Sequence, residues 1–135
     1  MQKQFKFDLK IYYEDTDAGG VVFYANYLKY LERARTEAIY SLGYTNTQLK
    51  DKYDIIIIVK SCNINYIKSA KFEDRLSVYS KIKSISKASF VMKQVIKRKN
   101  IEISNAEIVL VAINEKGKPT KLPNGFANEL RKHIK

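Results

Sequence analysis

The spacing of apolar residues allows one long helix near the start of the chain and then strands until its last dozen residues. Residues 5–13 alternate, with Phe5, Phe7, Leu9, Ile11 and Tyr13 on one face and Lys6, Asp8 and Lys10 on the other. That is the period-two signature of a half-buried strand. A polar, Gly-containing loop over 14–20 ends it. Tyr27 to Leu42 then places Leu28, Leu31, Ala34, Ala38 and Leu42 at three- and four-residue spacing. Asn26 stands at the N-cap position, and Gly43 stands where a C-terminal cap belongs. Four strand-like runs follow, at 55–69, 75–86, 88–98 and 101–114, with a hairpin turn at Arg98-Lys99-Asn100. Ile108 to Ile113 is apolar on both faces, as in a strand covered on both sides. Residues 124–134 read as a short terminal helix. A strand, a helix and then four strands in succession predict an α+β fold, not alternating βαβ units. Laying the helix across a curved antiparallel sheet buries both apolar faces. It also leaves sheet edges open, so pairing with a second copy is expected.

Length and composition exclude several classes. The 135 residues suit one domain spanning 1–135. With 45% hydrophobic and 29% charged residues, wholesale disorder is excluded. The single cysteine, Cys62, cannot form an internal disulfide and is too little for a zinc or iron–sulfur site. No metal and no redox cofactor are expected, and a lone thiol fits a reducing, cytoplasmic compartment. The longest apolar run has six residues, against about 20 for a membrane span. The first residues carry no apolar run of the signal-peptide kind.

The net charge of +11 is unevenly placed. Residues 1–58 hold 8 basic and 8 acidic side chains, and residues 59–135 hold the other 17 basic and 6 acidic ones. Lysine-rich usage alone accounts for such a surplus. So does a phosphate-bearing ligand, an anionic lipid surface, an acidic carrier protein or nucleic acid. Nucleic-acid binders interleave exposed aromatics with basic residues. Beyond Phe72, Tyr79, Phe90 and Phe126 the basic half has few aromatics, which argues against that class.

Chemistry concentrates between the first strand and the helix. Tyr12-Tyr13-Glu14-Asp15-Thr16-Asp17-Ala18-Gly19-Gly20-Val21-Val22-Phe23-Tyr24-Ala25-Asn26-Tyr27 places three carboxylates within four residues, then two glycines, then a helix start. Glycine lets backbone approach a ligand closely, and the first turn of a helix has unpaired N–H groups suited to an anion or a developing oxyanion. A carboxylate just upstream can act as nucleophile or general base. A plain acidic turn leading into a helix uses the same residues. The ligand spacing of a calcium loop is absent, and so are both glycine patterns of nucleotide-binding loops.

The run from Tyr12 to Glu37, including Glu32-Arg33-Ala34-Arg35-Thr36-Glu37 on the helix, resembles the 4-hydroxybenzoyl-CoA thioesterase family. Within it, the run is most similar to the bacterial Tol–Pal-associated acyl-CoA thioesterases. The resemblance implies a hot-dog fold, in which five curved antiparallel strands wrap one long helix. It implies hydrolysis of small or medium acyl-CoA thioesters by a homodimer or homotetramer with sites between subunits. It assigns the catalytic carboxylate to Asp17 and the carbonyl-polarising backbone to the helix start at Tyr24, with Ala25, Asn26 and Tyr27 around the substrate. Lys87 and Ser89 match the family's coenzyme A phosphate contacts loosely. One position departs from the pattern: many Tol–Pal-associated members have His where this chain has Tyr24. Its only histidine, His133, is the third residue from the C-terminal end of this sequence. A coenzyme A thiol, with a pKa of roughly 8.5 like a cysteine, departs without strong acid help, so a carboxylate and backbone donors suffice. A non-catalytic basic protein that binds acyl-carrier protein, anionic lipid or nucleic acid is the alternative.

Other residues have simpler expectations. His133 is expected to face solvent at a helix end, and Cys62 to be a small buried hydrophobe on the inward face of a strand. Glu32 and Glu37 are expected to form intrahelical charge pairs with Arg33 and Arg35.

Overall fold

A computed structural model of the chain describes residues 4–134. Its elements are β1 (Phe5–Lys10), α1 (Asn26–Ser41), α2 (Asn46–Tyr53), β2 (Ile56–Tyr66), β3 (Arg75–Ile85), β4 (Ser89–Arg98), β5 (Ile101–Ile113) and α3 (Asn124–Arg131). The five strands form one antiparallel sheet in the order β1-β3-β4-β5-β2. The order is not a simple four-strand meander. β3, β4 and β5 do follow one another as hairpins, but β2 lies beyond β5 and the β2–β3 connection crosses the sheet. Strands β1 and β2 are therefore the two edges.

Helix α1 lies on one face of this sheet. Its buried side chains Tyr27, Tyr30, Leu31, Ala34 and Ala38 recur at three- and four-residue spacing. They share one core with Leu76 and Val78 of β3, Phe90, Met92 and Ile96 of β4, and Ile108 and Leu110 of β5. At one end α3 closes the core through Phe126, whose ring meets Phe90 at 6.1 Å and Tyr44 at 5.2 Å.

Several expectations change. Asn26 is not the N-cap: Ala25 holds that position, and Asn26 is the first helical residue. Helix α2 was not expected, because only Leu49 in it is buried and no apolar periodicity marks it. It is set by a capping box, in which Thr45 Oγ1 accepts from Gln48 N–H and Gln48 Oε1 accepts from Thr45 N–H. Strand β5 is covered on one face only, since Val109, Val111 and Ile113 on the other face are half-buried. Phe90 and Phe126 are core residues, not exposed aromatics. His133 stacks on Phe5 with ring centroids 4.7 Å apart, so it does not stand in solvent. Cys62 is exposed, because β2 is an edge strand with its inner face largely uncovered.

Phe126 is fully buried between two aromatic rings, so its truncation leaves a cavity the surroundings cannot fill. Phe126→Ala is expected to cost about 3–5 kcal/mol. Denaturant unfolding should show a lower midpoint at an unchanged m-value.

Candidate active site

Past β1, the chain makes one 3-10 turn over Tyr13–Asp15 and then a small hairpin that leads into α1. The hairpin is held rung by rung. Phe23 N–H donates to the Asp15 carbonyl at 3.0 Å, and Asp17 N–H donates to the Val21 carbonyl at 2.9 Å. Between these rungs Thr16 bridges Val22. Gly20 N–H returns to the Asp17 carbonyl at 3.0 Å, with Gly20 at φ +79°, a conformation that glycine adopts without a side-chain clash.

Asp17 stands at the tip of this hairpin. Its Oδ1 accepts from Gly19 N–H at 2.8 Å, an Asx turn that fixes the carboxylate relative to the backbone. A Cβ at position 19 would lie 3.3 Å from that oxygen, so glycine there gives the carboxylate its room. Oδ2 has no hydrogen-bond partner among the described residues, and Asp17 is exposed. One oxygen is anchored and the other is free to meet a ligand or a water.

Asp15 plays a different part. Its Oδ2 accepts from Tyr12 N–H at 2.8 Å, and its carbonyl accepts from Asn26 Nδ2 at 2.9 Å as well as from Phe23 N–H. Asn26 therefore reaches eleven residues back and ties the start of α1 to the loop before it. Beneath Asp15, Tyr30 is buried, and its hydroxyl has no acceptor in hydrogen-bonding geometry. Burial, and then the neighbouring Asp15 carboxylate, push its phenol well above its ordinary value, so it stays neutral.

At the helix start the four expected residues separate into two kinds. Asn26 N–H bonds the Phe23 carbonyl at 2.9 Å and Tyr27 N–H bonds the Tyr24 carbonyl at 3.2 Å. Those donors are occupied. Tyr24 N–H and Ala25 N–H have no partner among the described residues, which leaves them open to a carbonyl oxygen. The Tyr27 side chain is structural too: its hydroxyl accepts from Ala70 N–H at 3.0 Å, and burial raises its phenol above its ordinary value while that bond acts in the opposite sense. Tyr24 is exposed and meets Tyr66 of β2 edge-on at 5.9 Å. Sequence reasoning missed Tyr66, which joins this group only through the fold.

Lys87 and Ser89 are not brought to this place. They lie at the β3–β4 turn, where the Lys87 carbonyl accepts from Leu122 N–H. The Asp17 loop instead packs at the opposite end of β3, through Val22 N–H to the Ala70 carbonyl and a bridge from Val21 to Lys71. Strand β3 separates the two ends by about 30 Å. Among the described residues no three His, Cys, Asp or Glu side chains converge as metal ligands. No helix there is long and apolar enough to cross a membrane.

A five-stranded antiparallel sheet around one long helix, with an Asp-Ala-Gly-Gly hairpin leading into that helix, defines the hot-dog class of thioester hydrolases. A family model of the thioesterase superfamily matches residues 19–104, and the chain belongs to that family. It is similar to the acyl-CoA thioesterase YbgC of Haemophilus influenzae, 36% identical over 120 residues that cover 88% of each chain. A probable thioesterase from Bartonella henselae has the same fold, with a TM-score of 0.86 at 32% identity over 89% of this chain and 99% of that one. The fold is also that of a mutant 4-hydroxybenzoyl-CoA thioesterase complexed with 4-hydroxybenzoyl-CoA. There the TM-score is 0.89 at 20% identity, covering 95% of this chain and 99% of that chain.

The Asn26 side chain is the strap between loop and helix. Asn26→Ala is expected to cost about 0.5–1.5 kcal/mol, the usual worth of one hydrogen bond. Amide exchange at Asp17 and Phe23 should speed up more than exchange in the sheet. Uniform acceleration, or none, would show that the strap does not hold the loop.

Proposed function

We propose that the protein is an acyl-CoA thioesterase that hydrolyses small or medium acyl-CoA thioesters to the free acid and coenzyme A. The observation that carries this is the hairpin itself. One short segment presents an anchored carboxylate with a free oxygen at Asp17 and, at its base, two N–H groups, at Tyr24 and Ala25, that have no partner among the described residues. The similarity to acyl-CoA thioesterase YbgC supports the choice of coenzyme A as carrier.

In this reading the Tyr24 and Ala25 N–H groups polarise the thioester carbonyl and stabilise the oxyanion that forms on it. Asp17 supplies the second component, either attacking the carbonyl carbon directly or taking a proton from an attacking water. Coenzyme A departs as a thiolate, so no imidazole is required. Asn26 and Tyr27 line the site while their own N–H groups hold the helix start.

The functional unit is a homo-oligomer. Strand β2 exposes Ile56, Ile58, Val59 and Tyr66 along an unpaired edge, the kind of surface a second copy covers. Because Lys87 and Ser89 lie at the far end of β3 from Asp17, any contact they make with coenzyme A phosphates comes from a neighbouring subunit. The lysine-rich outer face of β3 and β4, with Lys81, Lys93 and Lys97, also suits an acidic acyl-carrier protein as donor. A cytoplasmic location and an association with the Tol–Pal system complete the reading.

Asp17→Asn preserves shape and removes charge. Turnover of acyl-CoA, followed by thiol release, is expected to fall about 10²–10⁴-fold with folding intact. Asp15→Asn should do markedly less, because its carboxylate holds Tyr12 N–H and not a ligand. Near-full activity in Asp17→Asn together with loss in Asp15→Asn would reverse the assignment. Light scattering at micromolar concentration should give at least twice the 15.7 kDa of one chain, and a monomer would contradict the oligomeric site.

A further inference from the structure

The loop from β2 to β3 crosses the sheet at the end where the proposed active site lies, and it is tied to the strands it passes. At β5, Ile67 N–H and Lys68 N–H both donate to the Ile103 carbonyl, at 2.9 and 3.1 Å. Beyond β1, Glu73 N–H donates to the Ile11 carbonyl at 3.0 Å and Ile11 N–H donates to the Asp74 carbonyl at 2.9 Å. The tie to β4 is of another kind. Among the described residues no backbone bond joins the loop to that strand, and the Arg98 side chain makes the connection. Its Nη1 donates to the Ser69 carbonyl at 3.2 Å and to Asp74 Oδ2 at 2.8 Å. One guanidinium nitrogen thus clasps both ends of the segment 69–74. Arg98 is itself the last residue of β4, paired with Ile101 across a two-residue turn.

Asp74 closes the same segment from within. Its Oδ2 also accepts from Lys71 N–H at 2.8 Å, and its own N–H donates to the Lys71 carbonyl at 3.0 Å. Inside that turn Glu73 is held at φ +72°, a left-handed conformation that is uncommon for a residue with a side chain. What the segment carries is the hairpin of Asp17. Ala70, fully buried, accepts from Val22 N–H at 2.8 Å and donates to the Tyr27 hydroxyl at 3.0 Å, and Lys71 bridges Val21. The Val21 carbonyl in turn accepts from Asp17 N–H, while Tyr27 stands in the first turn of α1, just after Tyr24 and Ala25. An unbroken run of contacts therefore leads from Arg98 to both halves of the site.

We propose that Arg98 and Asp74 are positioning residues: they set the place of Ala70, and through it the separation of the Asp17 carboxylate from the Tyr24 and Ala25 N–H groups. This rests on the acyl-CoA reading above and adds to it two residues that act without touching substrate. A partly buried single ion pair of this kind adds little to the stability of the whole fold. Its effect falls on the geometry of the site, where small displacements cost rate.

The test follows Arg98→Met, Arg98→Lys and Asp74→Asn on octanoyl-CoA and on octanoyl-N-acetylcysteamine, a thioester without phosphates. Arg98→Met is expected to lower kcat about tenfold or more on both substrates, with KM changed less than about twofold and little loss of thermal stability. Arg98→Lys, which returns a charged donor to Asp74, should keep more of the rate, and an equal loss in both variants would contradict the proposal. A loss confined to octanoyl-CoA and to KM would make Arg98 a phosphate contact and overturn it. So would an unchanged kcat, or a loss of rate that only tracks loss of folded protein. If Arg98→Met does not fold, Asp74→Asn decides, because its amide still accepts from Lys71 N–H while the charge is gone. There kcat should fall about threefold or more at unchanged KM, and an unchanged kcat overturns the proposal. Amide exchange at Val22 reads the clasp apart from catalysis, and in the variants that fold it should quicken more than exchange within β3 and β4. If the wild type hydrolyses no acyl-CoA thioester, the reading beneath this one fails, yet selective exchange at Val22 still upholds Arg98 and Asp74 as what holds the hairpin. Unchanged exchange there overturns the clasp whatever the activity.

Discussion

The site depends on how one residue, Asp15, closes its loop. Its carbonyl accepts from both Phe23 N–H and Asn26 Nδ2, and its carboxylate accepts from Tyr12 N–H. These bonds join the end of β1, the two strands of the small hairpin and the first residue of α1. Without them Asp17 and the open N–H groups of Tyr24 and Ala25 would sit on a loop free to choose other shapes, and positioning is what such sites contribute most. The adjacent carboxylates thus divide the work. Asp15 takes up local backbone donors, while Asp17, two residues on, keeps an oxygen free.

The second constraint comes from sheet order. Placing β2 outside β5 puts a strand with aliphatic and tyrosine side chains at an edge, where its inner face is only partly covered by α1. In a protein built only for stability this would be a liability. Here it leaves Ile56, Ile58, Val59 and Tyr66 exposed, the surface on which the proposed homo-oligomer rests. Exposure of Cys62 follows from the same placement.

Periodicity made much of the fold legible. Alternation in β1 and the three- and four-residue steps of α1 report which side chains face a core. Phe5, Phe7, Leu9, Ile11, Leu31, Ala34 and Ala38 match the structure, whereas Leu28 and Tyr13 are exposed and Tyr27 and Tyr30 take the inward face of the helix. What periodicity cannot report is cover. Cys62, Ile64 and Tyr66 do share one face of β2, but the strand lies at an edge, so that face is largely open. Helix α2 buries a single leucine and so leaves no amphipathic trace, although its Thr45–Gln48 capping box was readable in principle. The candidate site was legible as a motif but not as a division of labour. Asn26 looks like a cap until the fold brings the Asp15 carbonyl within its reach. The expected Arg35–Glu32 pair gives way to Gln94, 59 residues distant in sequence, because only the sheet sets that amide under the helix. Lys87, which the resemblance attaches to the same ligand as Asp17, is separated from it by the length of β3.

The central claim is that the Tyr24 and Ala25 N–H groups and the Asp17 carboxylate act on one thioester carbonyl. A crystal structure of the protein with a ketone analogue of an acyl-CoA, in which a methylene replaces the sulfur, tests this most directly. The account predicts the carbonyl oxygen about 2.7–3.1 Å from Tyr24 N or Ala25 N, with Asp17 Oδ2 facing the carbonyl carbon directly or through one water. A carbonyl held elsewhere, with those N–H groups still open to solvent and Asp17 turned away from the ligand, would contradict it.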